Sequence, residues 1–271
     1  MRWFGGASRA RATSERGILR VGEKLKGRIA VVTGASKGLG KAMALAMAAE
    51  GAGIALVSRN REQLEGVANE ISAAGGVAAI FPADVTSEDQ VRKIEHDIAA
   101  RFGKVHILVN NAGVNVRKPV TDLSLAEWNS VLDTSLTAAF LMCHYFVPHM
   151  KGQGYGRILN MTSIMAWVSL PGRTAYSASK SALLGMTRAL ALELASEGIT
   201  ANGISPGPFA TEMNQALIEN PEANAQFLAS IPVGRWGRVE EIGQLAVYLC
   251  SEDAGFITGT DILIDGGWCA R

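Results

Sequence analysis

Short runs of apolar, often β-branched residues alternate along the chain with longer segments in which apolar residues recur every three or four positions. The short runs are nearly continuous in apolar character, which is typical of parallel strands buried on both faces. They cover residues 29–33, 54–58, 77–81, 106–110, 156–161, 199–205 and 261–265. The longer segments, such as GKAMALAMAAEG and REQLEGVANEISAAG, have helical spacing and end in glycine.

This alternation predicts βαβ units with right-handed crossovers. The expected fold is α/β: a single doubly wound Rossmann-type domain with about seven parallel strands and helices on both faces. We assign residues 26–271 to this domain and residues 1–25 to a flexible N-terminal extension. The extension is rich in arginine and lacks core periodicity, so an organelle-targeting segment and a mobile tail both fit it.

Composition removes several classes of function. The formal net charge of +1 is far from the basic footprint that nucleic-acid binding needs. Three cysteines without close spacing indicate neither a disulfide framework nor a zinc site, and the four histidines show no ligand pattern. No apolar run reaches the length of a membrane span. We therefore expect a cytoplasmic protein without a metal, a nucleic-acid partner or a membrane partner.

A glycine-rich stretch, TGASKGLG (Thr33 to Gly40), follows the first predicted strand and opens a helix. Its glycines are spaced G-x-x-x-G-x-G, which differs from the usual G-x-G-x-x-G dinucleotide fingerprint. Missing side chains still let backbone N–H groups approach a pyrophosphate at a helix N-terminus, where the dipole favours negative charge. A plain tight turn is the alternative.

The end of the second predicted strand indicates which dinucleotide fits. NAD-dependent enzymes place a carboxylate there for the ribose 2′-OH, whereas this chain has Ser58 and Arg59. Arg59 and Lys37 attract a 2′-phosphate, and Ser58 can donate a hydrogen bond to it. We predict NADP(H) as the preferred cofactor and NAD(H) as the alternative. After the third strand, Asp84 and Val85 are candidates to contact the adenine ring.

The stretch YSASK places Tyr176 and Lys180 one helical turn apart on the same face. A phenol titrates near pH ~10, so a nearby ammonium is needed before it can exchange protons near neutrality. Ser163 follows a predicted strand, where its hydroxyl can bind a substrate carbonyl. Tyr176 and Lys180 alone are a weak signal, since this spacing also occurs by chance.

Two further motifs end predicted strands. NNAG (Asn110 to Gly113) is suited to pinning neighbouring strands and admitting a cofactor, although it is also a good turn sequence. SPGPFATEM offers Pro206 and Gly207 to bound a nicotinamide, and Thr211 to reach its carboxamide. Because the carboxyl ends of parallel strands meet at one edge, all these features converge there.

In this order, TGASKGLG, NNAG, Ser163, YSASK and SPGPFAT resemble the short-chain dehydrogenase/reductase family from about Lys26 to Trp268. The resemblance implies hydride transfer between a nicotinamide dinucleotide and a small-molecule carbonyl or alcohol. It implies that Tyr176 is the general acid/base, that Lys180 lowers the pKa of Tyr176 and holds the nicotinamide ribose, and that Ser163 orients the substrate oxygen. The residues implied along the pyrophosphate and adenosine are Gly34, Ser36, Gly38, Leu39, Gly40, Asn111 and Ala112. Members are often tetrameric, which implies a homotetramer built on the last two long helices and the C-terminal strand.

One position departs from the family pattern. In the family, the helix before Ser163 usually carries an Asn that holds a water in a proton relay from the lysine. This chain has Ser135 at that position. A hydroxyl is shorter than an amide, so we expect the water to be less well held. The hypothesis is slower, but not abolished, turnover. Ser135 as plain helix filler is the alternative.

For the substrate, NAGVNVRKPV, FATEMNQALIENPE and VGRWGRVEEI look most like gluconate 5-dehydrogenase-type members. Arg117, Lys118 and Arg173 are candidates to attract a substrate carboxylate. A 3-oxoacyl-acyl-carrier-protein reductase is the alternative, because its acidic partner would also favour surface cations. A nucleotide-binding scaffold without turnover is the alternative of another class. Retention of Ser163, Tyr176 and Lys180 argues against the scaffold.

Overall fold

A computed structural model describes residues 22–270 of the chain. Most of the predicted extension therefore lies outside the described residues. Its last residue does not: Leu25 is fully buried, and its backbone N–H donates to Glu50 O at 2.9 Å.

The described residues form one seven-stranded parallel sheet in the order β3-β2-β1-β4-β5-β6-β7. This confirms the predicted doubly wound Rossmann-type fold. The strands are β1 (Ile29–Thr33), β2 (Gly53–Ser58), β3 (Val77–Pro82), β4 (Ile107–Asn110), β5 (Gly156–Met161), β6 (Ile199–Pro206) and β7 (Asp261–Ile264). Each differs from its predicted run by at most one residue at either end, because a continuous apolar run is what a strand buried on both faces requires.

Nine α-helices lie among the described residues. They are α1 (Gly38–Ala49), α2 (Arg61–Ala73), α3 (Glu88–Phe102), α4 (Leu125–Leu132), α5 (Ala138–Met150), α6 (Thr174–Leu194), α7 (Gln215–Ile218), α8 (Pro221–Leu228) and α9 (Val239–Cys250). A π-helical turn, Asp133–Thr137, joins α4 to α5, and a short 3₁₀ helix, Ile164–Ala166, follows β5. Helices cover both faces of the sheet, and each face has its own apolar core. One core includes residues of α1, α2 and α9, and the other includes residues of α3, α5 and α6.

The helical stretch Leu125–Met150 is long and apolar enough to cross a membrane, judged by length and composition. Half of its most apolar window is buried within the described structure. Its Met142, Phe146 and Met150 belong to the core on one face of the sheet. This packing is that of a core helix in a globular domain.

At the amino-terminal edge of the sheet, charged and aromatic side chains form what we call the amino-edge cluster: Arg28, Tyr155, Arg157 and Glu252. The guanidinium carbons of Arg28 and Arg157 lie 3.6 and 4.2 Å from the centroid of the Tyr155 ring. Arg28 also pairs with Glu252 at 2.6 Å. Arg157, almost fully buried, donates to Gly156 O at 2.9 Å, although its Nε has no partner. The cluster ties the starts of β1 and β5 to the segment after α9.

Candidate active site

A cavity of about 1250 Å³ runs along the carboxyl edge of the sheet. Its walls come from the ends of six strands, which bring together side chains and loops that are far apart in sequence. The predicted residues that line it are Gly34, Ser36, Lys37, Gly38, Leu39, Ser58, Arg59, Asp84, Val85, Asn111, Ala112, Gly113, Ser163, Tyr176, Lys180, Pro206, Gly207 and Thr211. Gly40 and Ser135 were predicted with them but do not line the cavity.

The glycine loop has the geometry that a pyrophosphate requires. Gly34 and Gly38 have φ angles of +63° and +55°, which residues with a Cβ rarely adopt. Helix α1 starts at Gly38 without a side-chain cap, so the backbone N–H groups of its first turn are left for a ligand. These donors and the helix dipole suit a doubly charged pyrophosphate.

The structure corrects the role expected for Gly40. A Cβ on this residue would lie 2.3 Å from Gly34 O and 2.4 Å from Asn111 Nδ2. Gly40 therefore lets the start of α1 pack against the glycine loop from behind, and it does not face the cavity. Gly40 supports the glycine loop without lining the cavity.

The ribose end of the cavity holds an oxygen without a partner. Ser58 Oγ is buried and makes no hydrogen bond, which a ligand hydroxyl or phosphate oxygen would satisfy. Arg59 is exposed and lies close enough to Asp84 to lower the pKa of that carboxyl. Burial alone would raise the pKa of Asp84, but hydrogen bonds from Thr86 and the charge of Arg59 outweigh burial. The orphaned oxygen, the glycine loop and the nearby cation fit a nicotinamide dinucleotide.

Lys37 was predicted to face the cofactor, and it does line the cavity. Its Nζ also lies 3.4 Å from Glu212 Oε2, in an exposed ion pair. Glu212 begins the segment that carries α7 and α8. Lys37 therefore reaches both the cavity and this segment.

The NNAG motif pins neighbouring strands, as predicted. Asn111 Nδ2 donates to Thr33 O at 3.0 Å and to Gly34 O at 3.2 Å, and Asn111 N donates to Thr33 Oγ1 at 2.9 Å. Asn110 Nδ2 donates to Asn160 Oδ1 at 2.8 Å, deep in the sheet. The side-chain amides thus hold the loop open beside the cavity, while Ala112 and Gly113 form part of its wall.

At the other end of the cavity, Tyr176, Lys180 and Ser163 come together. Tyr176 and Lys180 lie one turn apart on α6, and Lys180 Nζ is 5.6 Å from the centroid of the Tyr176 ring. Lys180 Nζ donates to Met161 O at 2.5 Å, at the end of β5. Ser163 follows β5 and caps the 3₁₀ helix, accepting from Met165 N at 3.1 Å. A phenol, an ammonium and a hydroxyl therefore line the same end of the cavity.

The pKa of Tyr176 differs from the prediction. Burial raises the pKa of this phenol above its ordinary value, opposed by a hydrogen bond with Ser163 and by the charge of Arg173. Burial also lowers the pKa of Lys180 to about 8. In the protein alone, burial therefore outweighs the lowering of the Tyr176 pKa that was expected from Lys180 together with an oxidised nicotinamide. The reason is that both groups share a site poor in water, which disfavours the charged form of each.

Ser135 lies in the π-helical turn between α4 and α5 and is buried. Its Oγ makes no hydrogen bond to protein. A Cβ on Gly113 would lie 3.4 Å from Ser135 Oγ and 3.6 Å from Lys180 Nζ, so the hydroxyl and the ammonium flank the same glycine. A buried hydroxyl without a protein partner is what a water-binding position requires.

Arg173 lies close enough to Tyr176 for its charge to affect the pKa of the phenol, and Arg117 lies close to Arg173, although neither side chain lines the cavity. A backbone hydrogen bond of 3.2 Å from Lys118 N to Gly172 O joins the loop of Arg117 to the loop of Arg173. Burial lowers the pKa of the Arg173 guanidinium, and the charge of Arg117 lowers it further. Within residues 22–270, neither guanidinium has a carboxylate at ion-pair distance. Lys118, the third predicted cation, pairs instead with Glu127 at 2.5 Å.

Sequence reasoning missed several polar residues around the cavity. Asn115, Asn129, Ser130, Asp133 and Thr134 line it, and Asn115 Oδ1 is buried without a partner. It also missed the hydrogen bonds that the Asp261 carboxylate accepts from Thr162, Trp167 and Ser205, since the sequence placed Asp261 only in a strand. A carboxylate opening an otherwise apolar strand, DILI, was the available signal.

Comparisons with known proteins agree with this geometry. A sequence model of the family described as "Enoyl-(Acyl carrier protein) reductase" matches residues 34–269. D-threitol dehydrogenase of Mycolicibacterium smegmatis is 39% identical over 92% of this chain and 95% of its own. The 3-oxoacyl-acyl-carrier-protein reductase of Thermotoga maritima is 34% identical, over 90% and 98% respectively.

Solved structures give the same result. A gluconate 5-dehydrogenase from Burkholderia cenocepacia, determined in complex with NADP and tartrate, superposes with a TM-score of 0.87 at 32% identity. The match covers 94% of this chain and 99% of that one. The chain belongs to the short-chain dehydrogenase/reductase family and is an NAD(P)-dependent oxidoreductase of that family.

Proposed function

We propose that this protein transfers a hydride between NADP(H) and a carbonyl or secondary alcohol, and that its substrate is a sugar acid of the gluconate type. The observation that carries the substrate class is a pair of neighbouring guanidiniums, of which Arg173 lies near Tyr176 and Arg117 lies near Arg173. Two neighbouring guanidiniums without a protein carboxylate, one of them near the proposed acid/base, suit a substrate that brings its own carboxylate.

The proposed roles follow from the contacts of each side chain. Bound NADP(H) supplies or accepts the hydride. In reduction, the Tyr176 hydroxyl donates a proton to the carbonyl oxygen, and in oxidation the phenolate accepts it. Ser163 hydrogen-bonds both Tyr176 and the substrate oxygen, while Lys180, held by Met161 O, contributes charge beneath the phenol. The residues proposed to hold the cofactor are those that line the cavity from the glycine loop to Thr211.

The preference for NADP(H) over NAD(H) is supported by three features at the ribose end. Ser58 Oγ has no partner, Arg59 is exposed beside it, and Lys37 lines the same wall. At the end of β2, no carboxylate occupies the position that would bind a ribose 2′-OH in an NAD-dependent enzyme. A carboxylate there would repel a 2′-phosphate.

The second candidate is a 3-oxoacyl-acyl-carrier-protein reductase. The Thermotoga maritima relative carries this activity in its name, and an acidic carrier would be drawn to the same cations. The two candidates differ in what the guanidiniums bind: a carboxylate on the substrate itself, or an acidic partner that delivers a neutral acyl group.

Oxidation of NADPH with a panel of ketones tests the proposal. We expect the highest kcat/KM with 5-ketogluconate, a lower value with a neutral ketose, and little turnover of an acetoacetyl thioester. Arg173→Gln should remove most of the difference in kcat/KM between 5-ketogluconate and the neutral ketose. Lys118→Gln is the matched control, because that ammonium is already paired with Glu127. Preference for the thioester would favour the second candidate, and turnover of none would favour a scaffold.

We further propose a cytoplasmic homotetramer. Large apolar side chains are exposed on α6, α9 and β7, where the sequence analysis expected the subunit contacts: Leu192, Tyr248 and Leu263. Burying such side chains favours association. Light scattering should give four times the mass of one chain, and a mass of one chain would contradict the proposal.

A further inference from the structure

The first residue of β7 carries a carboxylate that accepts three short hydrogen bonds. Asp261 Oδ1 accepts from Thr162 Oγ1 at 2.5 Å, and Asp261 Oδ2 accepts from Ser205 Oγ at 2.5 Å and from Trp167 Nε1 at 2.6 Å. Thr162 and Ser205 are buried, whereas half of the Trp167 surface is exposed. One side chain therefore joins the ends of β5 and β6 to the segment after β5.

The backbone leaves room for this carboxylate. Asp261 pairs with Gly203 in the register of β6 and β7, and a Cβ on Gly203 would lie 2.0 Å from Asp261 Oδ1. Because Gly203 has no side chain, the carboxylate reaches across β6 to Thr162. Because the contact depends on the pairing of β6 and β7, the structure of the sheet edge fixes it in place.

Two of these donors, Thr162 and Trp167, lie on either side of Ser163, the proposed substrate-binding serine, in the sequence. Thr162 comes directly before Ser163, and Trp167 comes directly after the 3₁₀ helix that Ser163 caps. Asp261 thus holds residues 162–167 at both ends. A third tie, from Ser181 Oγ to Ala166 O at 3.2 Å, joins the same segment to α6 one residue after Lys180.

We propose that Asp261 is a positioning residue: it fixes the segment 162–167 so that the Ser163 hydroxyl stays within hydrogen-bonding distance of Tyr176 and of the substrate oxygen. The inference rests on the roles proposed above for Ser163 and Tyr176. Displacing a catalytic group by a fraction of an ångström is enough to lower turnover, and supporting hydrogen bonds prevent that displacement.

A double-mutant cycle tests this role. Asp261→Asn keeps the side-chain shape but turns one acceptor into a donor that faces other donors. We expect it to lower kcat for ketone reduction about tenfold, with the Kd of NADPH unchanged. In a Ser163→Ala background, the same change should lower kcat less than about twofold, because the group that Asp261 positions is gone.

The outcomes separate the inference from the proposed function. An equal loss in both backgrounds, or no loss of kcat in Asp261→Asn, overturns the positioning role alone. Full turnover by Ser163→Ala overturns the proposed role of Ser163 as well.

Two milder variants cover the case in which Asp261→Asn fails to fold or Ser163→Ala is too slow to measure. Trp167→Phe and Thr162→Val each remove one donor to the carboxylate, and each should lower kcat severalfold while the Kd of NADPH stays constant. Unchanged kcat in both would contradict the proposal. Glu95→Gln is the matched control, since this partly buried carboxylate contacts His149 between α3 and α5 and does not contact residues 162–167. It should lower Tm without changing kcat.

Discussion

The two edges of the sheet both carry polar side chains, but they differ in how many of these side chains have a partner within the protein. At the amino edge, Arg28 and Arg157 stack on Tyr155, the phenol donates to Cys250 O, and of these side chains only Arg157 keeps a buried atom, Nε, without a partner. At the carboxyl edge, the buried oxygens of Ser58, Asn115 and Ser135 have no partner. Burying an unpartnered polar group costs stability, so such groups mark places where a ligand or water completes the structure. The amino edge stabilises the fold, and the carboxyl edge carries the groups proposed to bind and react.

Two tyrosines give the largest expected contrast between the edges. Tyr176→Phe should lower kcat by about 10²–10⁴-fold, the usual contribution of a general acid/base, with the free energy of unfolding changed by about 1 kcal/mol at most. Tyr155→Phe should leave kcat unchanged and lower the free energy of unfolding by about 1–3 kcal/mol, because Cys250 O loses its buried donor. Steady-state kinetics and urea unfolding measure both. Intact turnover in Tyr176→Phe would remove the basis of the proposed function.

The buried amine at the carboxyl edge should make stability depend on pH. Lys180 loses its proton near pH 8 in the fold and near 10.5 in the unfolded chain. Between these values the unfolded state binds more protons, so the free energy of unfolding rises with pH. Relative to Lys180→Met, the parent should gain about 3 kcal/mol from pH 7.5 to 10.5.

Urea unfolding of both proteins across this range isolates the contribution of Lys180. A difference between them that stays constant with pH would show that the amine keeps its ordinary pKa in the fold.

Cofactor preference should respond to one cation at the end of β2. Arg59→Ala should lower kcat/KM with NADPH about 10–100-fold, as expected for lost charge-assisted hydrogen bonds, and change kcat/KM with NADH little. Arg61→Ala is the matched control, because Arg61 pairs with Glu65 on the exposed face of α2. A parent enzyme that prefers NADH would refute the assignment.

The smallest expected effect concerns the relay position. Ser135→Asn should raise kcat a few-fold, because an amide offers a second hydrogen-bonding atom to a water beside Lys180. Thr137→Asn, on the exposed side of the same π-helical turn, should change nothing. A Ser135→Asn variant no faster than the parent would show that the serine already suffices or that the relay does not limit turnover.

The sequence was sufficient for the strands and for most of the cavity wall. Apolar runs specify buried strands, and the topology then brings their carboxyl ends together, so Gly34, Arg59, Ser163 and Thr211 were predictable as neighbours. The remainder depends on contacts between distant segments. Nothing local to Lys118 indicates its pairing with Glu127, and nothing local to Gly40 indicates that it faces Gly34 O.

The direction in which the pKa of Tyr176 shifts in the protein alone was not predictable, for a related reason. The sequence gives the spacing of the phenol and the ammonium but not the depth at which both are buried. Burial raises the pKa of Tyr176 and lowers that of Lys180, and its extent follows from packing of the whole sheet. The charge that does lower the pKa of Tyr176 comes from Arg173, on the loop before α6.

Because the Asp261 carboxylate occupies the space that a side chain at Gly203 would need, these two positions are interdependent. Any side chain at 203 would displace the carboxylate of 261, so a harmful Gly203→Ala allele should be suppressed by second-site changes that shorten residue 261. Selection for restored folding in a mutant library should then recover Asp261→Ser or Asp261→Gly repeatedly, because a shorter residue 261 relieves this steric contact.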